Sequence, residues 1–214
     1  MLDFLEPCYG HLVFVLSPDG QADVVEELNK RIPGRFTVVI QEIPSGMGDA
    51  VELALPQVQT PHVTVVWGDQ VSLQRTSVEG CQRLHQGPLH PDLTCPTVWR
   101  VNPYIHFERD EAGTLTGLRQ AREGDAMPER GESDTGFFCF KTDRLQQLLH
   151  QMRTSRTSMG NRTGEFNLLP IIPVAAQQGT VLTPRFMRLE ETQGINSSED
   201  AGAVAEFLRR AHGR

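Results

Sequence analysis

Pro61-His62-Val63-Thr64-Val65-Val66-Trp67-Gly68-Asp69 is a run of apolar and β-branched side chains closed by a glycine and a carboxylate. Consecutive apolar positions suit a strand covered on both faces, as in a parallel sheet layered by helices. In such sheets ligands bind beyond the carboxyl ends of the strands, which is where Gly68 and Asp69 fall. Taken alone, Asp69 fits a metal-binding carboxylate and a turn-capping side chain about equally well.

The same pattern extends outward from that run. His11-Leu12-Val13-Phe14-Val15-Leu16 reads as an earlier buried strand, ended by the turn residues Ser17-Pro18-Asp19-Gly20. Residues 23–30 carry Val24, Val25 and Leu28 at helical spacing, with Ile32-Pro33-Gly34 as the stop. A strand at 36–40 delivers Gln41, and residues 48–55 read as helix. Alternation of strand and helix at short spacing predicts an α/β fold: a mostly parallel, Rossmann-like sheet with helices on both faces. Gln41 and Asp69 then share one edge of it.

Beyond residue 90 the character changes. Residues 93–101, 104–109, 114–119 and 136–140 read as strands, with Asp110-Glu111-Ala112-Gly113 as a hairpin turn. A helix is expected at 145–152, then a polar, mobile stretch at 153–163. Residues 166–177 read as helical in part, interrupted by Pro170 and Pro173. A last helix is expected at 198–212, with Ala201, Val204, Ala205 and Leu208 on one face and Ser198 as its N-cap.

A length of 214 residues suits one domain spanning 1–214. With 38% hydrophobic and 22% charged residues the composition is that of a globular protein, and no apolar window is long enough to span a membrane. The start has no export leader, so the cytoplasm is the expected compartment. Cys8, Cys81, Cys95 and Cys139 lack paired spacing, which predicts reduced and mostly buried thiols. A net charge of −7 opposes broad nucleic-acid binding, yet a small triphosphate needs only a cation and backbone N–H groups.

Three further segments carry polar groups beside glycine. Ile43-Pro44-Ser45-Gly46-Met47-Gly48-Asp49-Ala50 places two glycines ahead of a helix, where bare backbone can approach a ligand or simply turn. Asp134-Thr135-Gly136-Phe137-Phe138 and Glu191-Thr192-Gln193-Gly194-Ile195-Asn196 border apolar strands, and each alone is commonly a turn.

In order and spacing, these pieces together with Glu132-Ser133 and Gly164-Glu165 resemble the sugar-phosphate nucleotidyltransferases, N-acetylglucosamine-1-phosphate uridylyltransferases in particular. The likeness covers nearly the whole chain. It implies a nucleotide-binding half at about 1–80 and an acceptor-binding half at about 81–214. Gln41, Ser45, Gly46, Met47, Gly48 and Gly68 would contact the nucleotide, and Tyr104, Asp134, Thr135 and Glu165 the acceptor. Asp69 and Asn196 would act in catalysis by holding Mg²⁺ or Mn²⁺. The implied partners are a nucleoside triphosphate and a sugar 1-phosphate or similar phosphorylated acceptor, with pyrophosphate released.

Departures from that pattern are Met47 for threonine, Ile105 for glycine, Gln120 for glutamate and Asp134 for asparagine. Pro103-Tyr104 and the charged run Arg122-Glu123-Gly124-Asp125 also differ. The resemblance further implies a first strand and a glycine-rich phosphate loop ahead of residue 12, which the sequence as given does not hold; little or no turnover by it alone is therefore expected. Other readings are a non-catalytic nucleotide-binding module and a glycosyltransferase of related fold. Gly68-Asp69-Gln70 lacks the second carboxylate that the glycosyltransferases' metal motif would want.

Overall fold

Strands and helices alternate through the first half as the apolar periodicity requires. The computed structural model describes residues 1–211. A short helix α1 (Leu2–Leu5) precedes β1 (Leu12–Leu16), α2 (Gln21–Arg31), β2 (Phe36–Ile40), α3 (Met47–Ala54), β3 (His62–Val66) and α4 (Arg75–His85). Then follow β4 (Leu93–Thr94), β5 (Thr97–Val101), β6 (Ile105–Arg109), β7 (Leu115–Gln120), β8 (Arg130–Asp134) and β9 (Phe137–Lys141). The chain ends with α5 (Thr142–Ser155), α6 (Ile171–Gln178), β10 (Val181–Leu182) and α7 (Ser198–Ala211). The expected helical residue His212 lies outside the described residues.

The sheet is Rossmann-like but mixed. β1 pairs with β2 and β10 with β4 in parallel, whereas β9 runs against both β3 and β4. The chain only bends at Thr135-Gly136, so β8 and β9 run on in one direction, β8 against β5 and β9 against β4, and the expectation of mostly parallel pairing is corrected at this strand. Two antiparallel ribbons, β5 with β8 and β6 with β7, complete the strands.

β9 also divides the core. Phe138 and Phe140 pack with residues of α3, α5 and α6, while Phe137 and Cys139 point the other way, among residues of α1 and α4. Successive strand side chains face opposite sides, so this one apolar run serves both layers and helices cover both faces. Cys81, Cys95 and Cys139 are buried and unpaired, and Cys8 is half-buried.

Several local expectations shift for identifiable reasons. Pro96 cannot donate to a ladder, and the strand expected at 93–101 splits there into β4 and β5 in different sheets. Pro173 does not break the helix at 171–178: it sits in the first turn, where its missing N–H has no intrahelical partner to lose. Ser197, not Ser198, caps α7, its Oγ accepting the Asp200 N–H at 3.1 Å. On that helix Val204 is buried, while Ala201 and Ala205 are exposed.

Among the described residues β1 pairs only with β2 and β3 only with β9. A cleft of about 1860 Å³ lies along both β1 and β3 and continues past Gly68 and Asp69 towards β5 and β8. Among the described residues no helix is long and apolar enough to cross a membrane.

Candidate functional site

Segments distant in sequence are stitched together at the end of β3. Trp67 to Gln70 closes as a turn, with Gln70 N–H donating to Trp67 O at 3.1 Å. Because β9 runs antiparallel to β3, with Phe137 opposite Val66, the turn before β9 lies beside that end. Trp67 N–H donates to Gly136 O at 2.9 Å, and Asp134 Oδ1 accepts the Gly136 N–H at 2.7 Å.

The segment ahead of α7 docks on the same place. Ser72 Oγ donates to Glu191 O at 3.1 Å, and Ile195 N–H donates to Asp69 O at 3.2 Å. The Asp69 carboxylate abuts Gly194, where any β-carbon would collide with it, so the glycine is what lets the two segments meet. Asn196 follows directly, its N–H held by Asp200 Oδ2 at 3.0 Å in the box that opens α7. Asp69 and Asn196 thus line one cleft.

Electrostatics set the carboxylates apart. Burial pushes the Asp134 carboxyl above its ordinary value, opposed by the Gly136 N–H and the charge of Arg100 and reinforced by Asp69. Three of the five buried polar atoms that lack a partner among the described residues belong to residues lining the cleft: Gln70 Oε1, Arg100 Nε and Thr135 Oγ1. Buried polar groups are nearly always satisfied by protein, ion or ordered water, so these three atoms leave room for such a partner beside the cleft.

Asp69 and the Asn196 amide oxygen are hard donors, and Asp134 adds a second carboxyl nearby. Among the described residues no group of three or more His, Cys, Asp and Glu side chains forms a cage for a metal ion. So sparse a set fits Mg²⁺ or Mn²⁺, which take one or two protein oxygens and complete their shell with water and phosphate.

The glycine segment sits differently. Gln41 Nε2 donates to Gly46 O at 3.0 Å and so braces the loop from the end of β2. Gly48 N–H donates to Phe166 O at 2.8 Å, and Phe166 N–H donates to Ser45 O at 2.8 Å. The bare faces of Gly46 and Gly48 are turned against Phe166, where a β-carbon would strike its backbone or ring. Met47, between them, lines the cleft, as do Gly68, Tyr104, Asp134 and Thr135; Gln41, Ser45, Gly46, Gly48 and Glu165 do not. Glu165 is instead ion-paired to Arg122, which does line it.

The comparisons with known proteins bear on this geometry. No family model matches the chain. It is 28% identical over 193 residues to the bifunctional protein GlmU of Carboxydothermus hydrogenoformans, covering 86% of this chain and 41% of that protein. To GlmU of Pseudomonas entomophila it is 27% identical over 217 residues, covering 96% of this chain and 46% of the relative. The chain therefore spans less than half the length of the relatives it matches. The crystal structure of HddC from Yersinia pseudotuberculosis complexed with GMP-PN superposes with a TM-score of 0.62 at 14% identity, over 96% of this chain and 83% of that one. The chain therefore shares the fold of HddC and resembles the GlmU proteins in sequence.

Within this fold, several lining or bracing residues carry no signal in the sequence. Gln70 directly follows the quoted carboxylate but reads as an ordinary turn residue. Arg100 sits in an alternating strand and looks like a solvent-facing charge. Glu123 belongs to the charged run at 122–125, and its carboxylate accepts from Thr163 Oγ1 at 2.7 Å, Arg162 N–H at 2.9 Å and Asn167 Nδ2 at 3.1 Å. Of the stretch expected to be mobile at 153–163, residues 153–155 belong to α5 and residues 162–163 are held by Glu123. Only a contact between two regions of the chain reveals that role.

Proposed function

We propose that the cleft binds a nucleoside triphosphate with Mg²⁺ or Mn²⁺ and transfers its nucleotidyl group to a sugar 1-phosphate or similar phosphorylated acceptor. The observation that carries this reading is the meeting of Asp69 with the Gly194 to Asn196 segment beside Asp134, in a cleft where three buried polar atoms lack partners among the described residues. Likeness to GlmU and to a structure complexed with GMP-PN supports it.

In the reaction an oxygen of the acceptor phosphate forms a bond to the α-phosphorus while the bond from that phosphorus to the bridging oxygen breaks, and pyrophosphate leaves. A divalent ion would supply neutralisation of phosphate charge. Asp69 and Asn196 would hold it, Asp134 and Thr135 would orient the acceptor, and Gln41 would keep the 45–48 loop in place through Gly46. No protein nucleophile is required, because such chemistry depends on alignment and charge more than on covalent help.

Calorimetric titration with a panel of nucleoside triphosphates in Mg²⁺, run beside a pyrophosphate-release assay with sugar 1-phosphates, tests the proposal. Binding accompanied by acceptor-dependent release would establish transfer by the sequence as given, of which little or no turnover is expected. Binding without release would make the chain a nucleotide-binding module as it stands, and the absence of binding by every nucleotide would end the reading.

A further inference from the structure

Arg100 is the one arginine or lysine lining the cleft that has no carboxylate within ion-pairing distance among the described residues; the other, Arg122, is paired to Glu165. It leaves β5 opposite Gly131 and reaches the 3-10 turn at Leu189–Thr192. Nη2 donates to Thr192 Oγ1 at 2.8 Å and to Thr192 O at 3.4 Å, while Nε is buried and donates to nothing.

A structural role is the simpler explanation to weigh first. Arg100 could merely tether that turn to β5, and the two bonds to Thr192 do so. They leave a guanidinium half withdrawn from water with part of its donor fork unused. Burial opposes its charge, and the nearest compensation, Asp134, is felt at a distance with its Oδ1 already occupied by Gly136. A cation desolvated without a partner is costly, and an arriving anion would recover that cost. Arginine's planar fork suits phosphate and carboxylate oxygens in pairs.

We infer that Arg100 is an acceptor-binding residue that grips an anionic group of the acceptor, a phosphate or a carboxylate, on the wall formed with Asp134, Thr135 and Thr192. This rests on the nucleotidyl-transfer reading and adds to it the residue that selects for acceptor charge. The triphosphate, held beside Asp69 and Asn196, does not need this contact.

The test is calorimetry on the full chain and its Arg100→Met and Arg100→Lys variants, with the fold of each checked by circular dichroism. The probes are the panel of nucleoside triphosphates with Mg²⁺, then glucose 1-phosphate, glucuronate and glucose. The parent is expected to bind at least one of the two anionic sugars and not glucose. Which anion binds identifies the group. Arg100→Met should weaken that binding tenfold or more, Arg100→Lys should fall between, and triphosphate affinity should stay within twofold in each.

If Arg100→Met does not fold, Arg100→Lys decides, because a point charge cannot replace a paired fork and a loss of threefold or more is expected. The inference is overturned if the variants bind the anionic sugars as the parent does, if triphosphate and sugar affinities fall together, or if the triphosphate binds and neither anion does. Were no nucleoside triphosphate of the panel and neither anionic sugar to bind the parent, the transfer reading would fall and take this inference with it.

Discussion

Glu132 is all but excluded from water, and three side chains converge on its carboxylate. Arg109 donates from Nε at 2.7 Å and Nη2 at 2.8 Å, Arg185 from Nη2 at 2.9 Å and Thr97 from Oγ1 at 2.6 Å. Burial alone would raise its pKa, but these bonds and charges prevail and hold it at about 2. A group depressed in the folded state stabilises fully above its ordinary value and loses that contribution as pH falls through the folded one. Glu132→Gln is expected to cost about 3 kcal/mol at neutral pH, the scale for stranding one side of a buried pair. Melting curves of parent and variant should converge as pH drops from the ordinary carboxylate range towards 2; a constant gap would contradict the assignment. At this scale the sequence was only partly informative. Asp69 stood out because a carboxylate follows a strand of apolar residues, and Asn196 only through the order of motifs. Arg100 stayed hidden because whether a charge in an alternating strand meets water or a cleft is decided by what packs over it.

The clamp at Glu123 acts between elements. Its carboxylate holds the turn at 162–167 through four bonds, and these depress its pKa to about 2 although burial opposes them. The same turn is tied through Phe166 to the 45–48 loop. Glu123→Ala should therefore raise amide hydrogen exchange at residues 160–167 by about tenfold or more, with β9 unchanged, since local opening is governed by the bonds lost locally. Uniform protection in both proteins would show the clamp to be idle. Amides of β1 and β3, each with one edge unpaired among the described residues, should likewise exchange ahead of those of β9, which is paired on both sides.

Elements were legible where apolar residues run consecutively, as with β1, β2, β3 and β9, although of these only β9 is buried and β1, β2 and β3 are half-buried along their length. β8 was not foreseen because Arg130-Gly131-Glu132-Ser133-Asp134 has no apolar signal, and only its pairing with β5 and the arginines around Glu132 make it a strand. α4 escaped notice because Gly80 interrupts its pattern and no side chain caps it.

At the scale of the molecule, the two core layers meet at β9, and the cleft runs from the edges of β1 and β3 to the place where three regions of the chain converge. The α/β class was readable from alternation of strand and helix. The antiparallel course of β9 was not, since direction depends on which strands become neighbours rather than on side-chain period. Convergence of Asp69 with Asn196 is the premise on which metal binding, nucleotide binding and the role of Arg100 all depend. Electron paramagnetic resonance of free Mn²⁺ during titration with uridine triphosphate tests it directly, on the parent, Asp69→Asn, Asn196→Ala and the double variant. Each single change is predicted to weaken nucleotide-dependent Mn²⁺ uptake by about tenfold or more, and the double change to fall short of the product of the two, as residues sharing one ion do. Uptake unaltered in both single variants would contradict a shared cation between these residues.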